Sequence, residues 1–454
     1  MKMCEREKYL RTCKNFRVRP LVARTGEGIE QAVVIPALAE RDSLFRTLAG
    51  IAKNPASDLR RTLVICVVNN HPPPVAGDAD IRDNRETLSI LQALVSGRPT
   101  NPDLPDAIRK DIRQVSESSL RLACIDASSL GQEIPVRDGG VGAARKIGMD
   151  AALRTIDARA ANGGVICCLD ADTLVEENYL ASVWTHFGRT GDPAAVSAYA
   201  HQRPDDPGLL VAICCYEIFL RAYVIGLSHA GSPYAFHSIG STMACTSDGY
   251  TAVRGMNRRQ AAEDFHFLDK LAKIGKVGVI SDTTVFPSPR PSNRVPFGTG
   301  QRMIRFLSCR TDEYRLYDPR IFDILKKWLA SMEADPDRDP ETILAGAGRI
   351  HPELEAYLRV SRFAEDWRVI RKNSGDQVQL RRQFKVWFDG LKTLRLVHRL
   401  SRSGYPLVPM FDKSTGDIPL AGRPFCRVRS PGGIPDPEEQ FRTLTSLRAD
   451  FPYS

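Results

Sequence analysis

Ile166-Cys167-Cys168-Leu169-Asp170-Ala171-Asp172 is a short apolar strand running straight into two carboxylates one residue apart. Two hard anionic oxygens at a strand end suit a divalent cation that bridges the phosphates of a nucleotide. An Asp-x-Asp is by itself a common strand-to-turn sequence, so its meaning rests on what surrounds it. Upstream, Ala32-Val33-Val34-Ile35 precedes a helix-like Glu40 to Lys53, and Leu63 to Val68 and Leu120 to Ile125 are further apolar runs. A long helical pattern covers Gly142 to about Arg159, and after the Asp-Ala-Asp a helix leads to Ala194 to Ala198. Continuous apolar strands separated by helices specify an α/β fold with a mostly parallel, Rossmann-like sheet covered on both faces. Ligands of such sheets sit beyond the carboxyl ends of the strands.

The sheet pattern stops at about Arg310. Asp318 to Met332, Pro352 to Lys372 and Val378 to Arg402 read as helices, with a gap at Asp335 to Pro340. His71 to Asp83 and Ser96 to Pro105 look like loop excursions, and the last fifty residues are rich in Pro, Gly and Arg with little periodicity. The expected organisation is an extension (1–30), a catalytic α/β domain (31–310), a helical C-terminal region (311–403) and a Pro/Gly/Arg-rich tail (404–454) that wraps the surface or stays mobile.

The chain has 454 residues, 43% hydrophobic and 26% charged, a globular composition long enough to build a core without disulfides. Its 11 cysteines include the neighbours Cys167-Cys168 and Cys214-Cys215, and no Cys-x-x-Cys suggests zinc. They are expected to be buried thiols in a reducing compartment. Leu209 to Leu227 is apolar but carries Glu217 and Arg221, which favours a buried helix over a membrane span. The basic N-terminus lacks a signal-like apolar stretch, so a cytoplasmic location is expected. The net charge of +9 is concentrated: ten Lys/Arg and two Asp lie between Arg368 and Arg402. An anionic partner would most simply meet the protein there. Nothing points to nucleic acid.

Four pieces occur in a fixed order: Pro36-Ala37-Leu38-Ala39-Glu40 after the first strand, Val67-Val68-Asn69-Asn70, the Asp-Ala-Asp, and Ala262-Glu263-Asp264-Phe265. This ordered set resembles the family 2 glycosyltransferases of GT-A fold. The resemblance covers about Gln31 to Met303, including Gly240-Ser241-Thr242-Met243-Ala244 and Arg254-Gly255-Met256. It implies a metal-dependent transfer of a sugar from a nucleotide-diphosphate donor, UDP- or GDP-linked, to a hydroxyl acceptor, with Mn²⁺ or Mg²⁺. Pro36, Ala37 and Glu40 would flank the nucleoside, and Asn70 would lie near the base where the family usually has Asp. Asp170 and Asp172 would engage metal and diphosphate. Arg145, in Gly142-Ala143-Ala144-Arg145-Lys146-Ile147-Gly148, would sit near phosphates or ribose. Asp264 would be the general base, positioned by Glu263. The chemistry needs this assortment: cations stabilise charge on the leaving phosphate, and a carboxylate takes the acceptor proton. No residue stands out as a covalent nucleophile, which favours inversion while leaving retention open.

Four further residues are candidates for phosphate or acceptor contacts. Arg290 and Arg294 lie in a Gly/Pro-interrupted segment that would close over a diphosphate; His237 and His266 flank the second half of the domain. Gln301 to Phe306 is off by one from the box of processive synthases and lacks its Trp, so transfer is expected to be non-processive. Gly140-Val141-Gly142 imitates a dinucleotide fingerprint without its third small residue, and no Gly-x-Ser-x-Gly is present. Two rivals stand against the transferase: a sugar-phosphate nucleotidylyltransferase, which wants glycines at the first strand, and a non-catalytic GT-A-like binding module. Finally, Leu380, Phe384, Trp387, Leu391 and Leu394 oppose Arg381, Arg382, Lys385, Lys392, Arg395, Arg399 and Arg402 at helical spacing. One amphipathic helix is expected, packed by its apolar face or laid peripherally on an anionic membrane.

Overall fold

The structure, a computed structural model, describes residues 5–12, 19–23, 27–98, 103–294, 298–309, 312–411, 418–420, 423–425 and 433–451. They fall into two compact units. One is the chain up to Arg203 together with Ser238–Gln301, and the other is Pro204–His237 together with the chain from Arg302 onward.

The first unit is built on nine strands: β1 (Leu21–Ala23), β2 (Gln31–Ala37), β3 (Thr62–Asn69), β4 (Arg121–Ala127), β5 (Val165–Cys168), β6 (Leu174–Val175), β7 (Ala194–Tyr199), β8 (Met243–Thr246) and β9 (Val277–Phe286). Their order is β1-β4-β3-β2-β5-β8-β7-β9-β6. The long ladders are parallel, joining β2 to β3 and β5, β3 to β4, and β7 to β9. The short ones, involving β1, β8 and β6, are antiparallel. Every residue of β2, β3 and β5 is buried, which is why these strands are continuously apolar rather than alternating. From β2 the chain moves outward to β3 and β4, then returns to the other side of β2 as β5. That reversal opens a crevice at the carboxyl ends of β2 and β5, where ligands of open α/β sheets bind.

Helix Val141–Thr155 lies on this sheet at very short range. A Cβ on its Gly148 would come within 2.3 Å of Val34 Cγ1, so only glycine permits the approach. Two details differ from expectation. The supposed loop before Asp83 is already helical from Asp78, in a helix over Asp78–Ser96. The strands β1, β6, β8 and β9 join the sheet unforeseen, the first three because two to four residues are too few to show a period.

The core of the second unit is helical. Helix Pro207–His229 is long and apolar enough to cross a membrane, yet Cys214, Ile218 and Ile225 pack in a core with Trp328, Leu358 and Trp367. Its Glu217 is fully buried and accepts a two-pronged grip from Arg448, Nε to Oε1 and Nη2 to Oε2, both 2.7 Å. Arg221 Nε adds a third bond to Glu217 at 2.9 Å.

Several sequence expectations for this region are corrected. A helix over Pro340–Ile350 starts at the end of the anticipated gap, because Asp339 caps it by accepting from Glu341 N and Pro340 suits its first position. Pro352 to Lys372 is two helices, Pro352–Val360 and Phe363–Lys372, separated by Arg362 at φ 59°. The single amphipathic helix is also two, Gln377–Trp387 and Gly390–Arg402, because Asp389 starts a new helix by accepting from Lys392 N at 3.0 Å. That break changes the buried face: Leu396, Val397 and Leu400 are buried, whereas Leu391 and Leu394 are only partly covered. Strands do not vanish after Arg310, since Arg315–Leu316 pairs with Val408–Pro409 and Ile418–Leu420 with Arg423–Phe425. The aperiodic tail contains a helix, Pro437–Asp450, that buries Leu444 and Leu447; much of the rest of the tail lies outside the described residues. Among the described cysteines all are free thiols and all but Cys309 are buried.

Candidate active site

Asp170 and Asp172 leave β5 at the crevice between the carboxyl ends of β2 and β5. Across from them, helix Val141–Thr155 carries Arg145, which is 4% exposed. Arg145 Nη2 donates to Asp170 Oδ1 and Nη1 donates to Glu263 Oε1. One guanidinium thereby ties the Asp-Ala-Asp to the Glu-Asp pair. Room for it is made by Gly240, where a Cβ would sit 2.1 Å from Arg145 Nη2. Any other residue there would displace the cation.

Glu263 and Asp264 open helix Glu263–Ile274, preceded by Ala262 in the left-handed region at φ 56°. A non-glycine residue there stores roughly 1–3 kcal/mol of strain, a cost concentrated at functional sites. Glu263 is 3% exposed, and Asp264 Oδ1 accepts from Phe265 N at 2.7 Å. Burial pushes the Asp264 carboxyl above the usual carboxylate range, with the Arg145 charge and the Phe265 N–H opposing. Asp172 is pushed up to about 7 by burial, reinforced by the neighbouring Glu40 and Asp170 and opposed by Arg290. Five carboxylates thus crowd an edge whose cations are Arg145, Arg290 and Arg294.

Glu40 follows β2 and begins helix Arg41–Ile51. Its Oε1 accepts from Arg290 Nη2 at 2.6 Å and from Arg294 Nη1, and its Oε2 accepts from Ser43 Oγ at 2.6 Å. Arg294 Nη2 also donates to Ala39 O at 2.9 Å, while Arg290 Nη2 lies 3.6 Å from Asp172 Oδ2. Ala39 is itself left-handed at φ 51°. The two arginines therefore reach the carboxylate edge, where they hold Glu40.

Pro36 and Ala37 end β2, paired with Val67 and Val68 of β3. Asn70 follows β3, 2% exposed, with its amide donating to His71 O at 2.9 Å and its Oδ1 accepting from Asn84 Nδ2 at 3.1 Å. Asn84, on helix Asp78–Ser96, also accepts from Ala39 N at 2.9 Å and donates to Asn69 O at 3.2 Å. It fastens the end of β2 to the end of β3, a role that an Asn among helical charges does not advertise in sequence. Asp126, at the end of β4, is the acidic neighbour of this corner. Burial would raise its carboxyl, but the N–H groups of Ser129 and Ser128, each 2.9 Å away, hold it below the usual range. His266 is partly buried on the helix begun by Glu263, its ring edge-on to Phe265 at 5.4 Å. His237 belongs to the second unit, where it is buried.

No cluster of three or more His, Cys, Asp or Glu able to hold a metal occurs among the described residues. Asp170 and Asp172 supply two carboxylates, a donor set that fits a hard cation completing its shell with phosphate oxygens and water. The rise in Asp172, set first by burial, is reinforced by the negative charge of Glu40 and Asp170.

No protein-family profile matches the chain, and no curated protein matches it in sequence. In structure it is similar to S. aureus TarS 1-349 in complex with UDP-GlcNAc, at 11% identity and TM-score 0.37, covering 85% of this chain and 97% of that one. It is also similar to the mannosyltransferase PcManGT from Pyrobaculum calidifontis in complex with GDP-Man and Mn²⁺, at 14% identity and TM-score 0.34, covering 86% and 94%. A superposition this loose carries no argument about activity, which rests on the site.

Proposed function

We propose that the chain is a GT-A nucleotide-sugar glycosyltransferase that moves one sugar from a UDP- or GDP-linked donor to a hydroxyl acceptor. The observation that carries this reading is Arg145, which gathers Asp170 and Glu263 at the switch point of the sheet. Neither a nucleotidylyltransferase nor a binding module needs a buried cation joining these two motifs.

In this reading Asp170 and Asp172 would hold Mn²⁺ or Mg²⁺, which would supply electrostatic stabilisation of the leaving diphosphate. Arg145 lends positive charge to the same edge and fixes the start of the Glu263–Ile274 helix through Glu263. Asp264 takes the acceptor's proton as its hydroxyl attacks the sugar carbon. A carboxyl raised by burial is a stronger base than an exposed one, which suits that task. Arg290 and Arg294 exchange Glu40 for phosphate oxygens when a donor arrives, bringing their loop over it. One direct displacement inverts the anomeric carbon. We place the protein in the cytoplasm, with Arg395 and Arg402, both exposed, available to an anionic membrane.

The test is metal-dependent hydrolysis across a panel of UDP- and GDP-sugars. Release of nucleoside diphosphate from at least one donor, abolished by chelation, is expected. No release from any donor with or without acceptor alcohols would overturn the reading.

A further inference from the structure

The second unit contains a cavity of about 280 Å³ that belongs to no part of the carboxylate site. Arg302 and Arg305 line it from helix Thr299–Leu307, Arg315 from its short strand, and Arg402 from the last turn of helix Gly390–Arg402. Two acids, Asp312 and Glu313, share the lining. Glu313, only 10% exposed, accepts from Arg302 Nη1 and from Arg305 Nη2, each at 2.7 Å. Asp312 Oδ2 accepts from Arg315 Nε at 2.7 Å. Arg402 makes no ion pair among the described residues.

Four guanidinium groups against two carboxylates leave an excess of two positive charges at one small cavity. Each guanidinium has five N–H donors, so the pairs to Asp312 and Glu313 leave donors uncommitted. Glu313 instead fixes the geometry: it grips Arg302 and Arg305 together, and Arg302 also lies over the Phe219 ring at 5.0 Å and the Tyr216 ring at 5.6 Å. Holding arginine forks in place beforehand lowers the cost of binding a planar or tetrahedral oxyanion. Aromatic rings join Ser401 and Leu407 on the remaining wall, with Phe219 and Tyr317 rings 5.5 Å apart and Tyr317 Oη 2.9 Å from His398 Nε2. The volume lies at the lower limit of small-ligand sites, enough for a phosphate with one small organic substituent.

We propose that this cavity is a second anion site, taking a phosphate ester of that size. The shared chemistry is a phosphate ester with one small organic substituent, free in solution or as a lipid headgroup. It goes beyond the glycosyltransferase reading and does not depend on it.

The full chain is titrated calorimetrically with glycerol 3-phosphate, with glycerol as the control, and sedimented with phosphatidylglycerol or phosphatidylcholine vesicles. Arg402→Glu and Ser401→Glu, two exposed or half-exposed substitutions on the cavity rim, are carried through both arms with circular dichroism verifying the fold. Saturable binding of glycerol 3-phosphate, or sedimentation with phosphatidylglycerol alone, is expected, weakened about tenfold or more by each substitution and less by Arg395→Glu, which reverses an exposed charge on the same helix outside the cavity lining. The arm that responds identifies the source. The proposal falls if neither probe binds the parent protein, or if binding persists undiminished in both variants, which would place the anion elsewhere.

Discussion

Replacing Arg145 by Met removes the one cation that joins the two acidic motifs. Its side chain is 5% exposed, between Glu263 at 4% and Asp170 at 36%. Asp170 can regain water when its partner goes and so loses little. Glu263 cannot. Stripping one partner from a buried ion pair costs about 3–5 kcal/mol, and nearly all of that falls on Glu263 here. Adding Glu263→Gln removes the stranded charge, so the double variant should recover roughly 2 kcal/mol relative to the sum of the single changes. Urea titration reads both quantities, taken from whichever transition the substitution moves because the chain has two units. The same variant has a signature in pH. Arg145 is the charge that offsets the burial of Asp264, so without it the Asp264 carboxyl rises further. A carboxylate acts as base only above its pKa, so the acid limb of kcat/KM should move to higher pH. The parent limb should already lie above the usual carboxylate range of about 4. An unchanged urea midpoint, or an acid limb that stays put or moves down, would refute the reasoning.

Asp264→Asn should keep donor binding while lowering turnover by about a hundredfold or more, since the amide keeps the shape but cannot take a proton; equal loss of donor affinity would instead place Asp264 among the metal ligands. Asp172→Ala should abolish the Mn²⁺-stimulated part of nucleoside diphosphate binding in calorimetry, and a retained stimulation would make Asp-Ala-Asp a turn. Arg448→Met removes both hydrogen bonds that Arg448 gives the fully buried Glu217, leaving Arg221 Nε beside it, and should destabilise the second unit by about 1.5–3 kcal/mol, read by the fluorescence of its Trp328, Trp367 and Trp387. Joint replacement of Arg395, Arg399 and Arg402 by Ser should weaken salt-sensitive sedimentation with anionic vesicles, to which each cation adds up to about 1 kcal/mol; no sedimentation of the parent at low salt removes the membrane from consideration.

The five strands β2, β3, β4, β5 and β7 were legible in the sequence because burial on both faces is written into each segment by itself. Val33-Val34-Ile35 or Val165 to Leu169 must be apolar wherever they sit in a covered sheet. The carboxylates at strand ends were legible for the same local reason: Asp170 and Asp172 break an apolar run where the strand stops. Pairing across the chain is another matter. Arg145 meets Asp170 and Glu263 across 25 and 118 residues, and Arg290 meets Glu40 across 250. A charged side chain has the same local sequence whether its partner is water or a buried opposite charge, so only the packed sheet decided which arginine serves which acid. Asn84 joined the ends of β2 and β3 on equally silent terms. The apolar helix Pro207–His229 has the length and hydropathy of a membrane span, and Glu217 and Arg221 in its sequence already favoured burial in a core. What only packing decided is its long-range partner: Glu217 stays buried between Arg221, four residues on, and Arg448, 231 residues away.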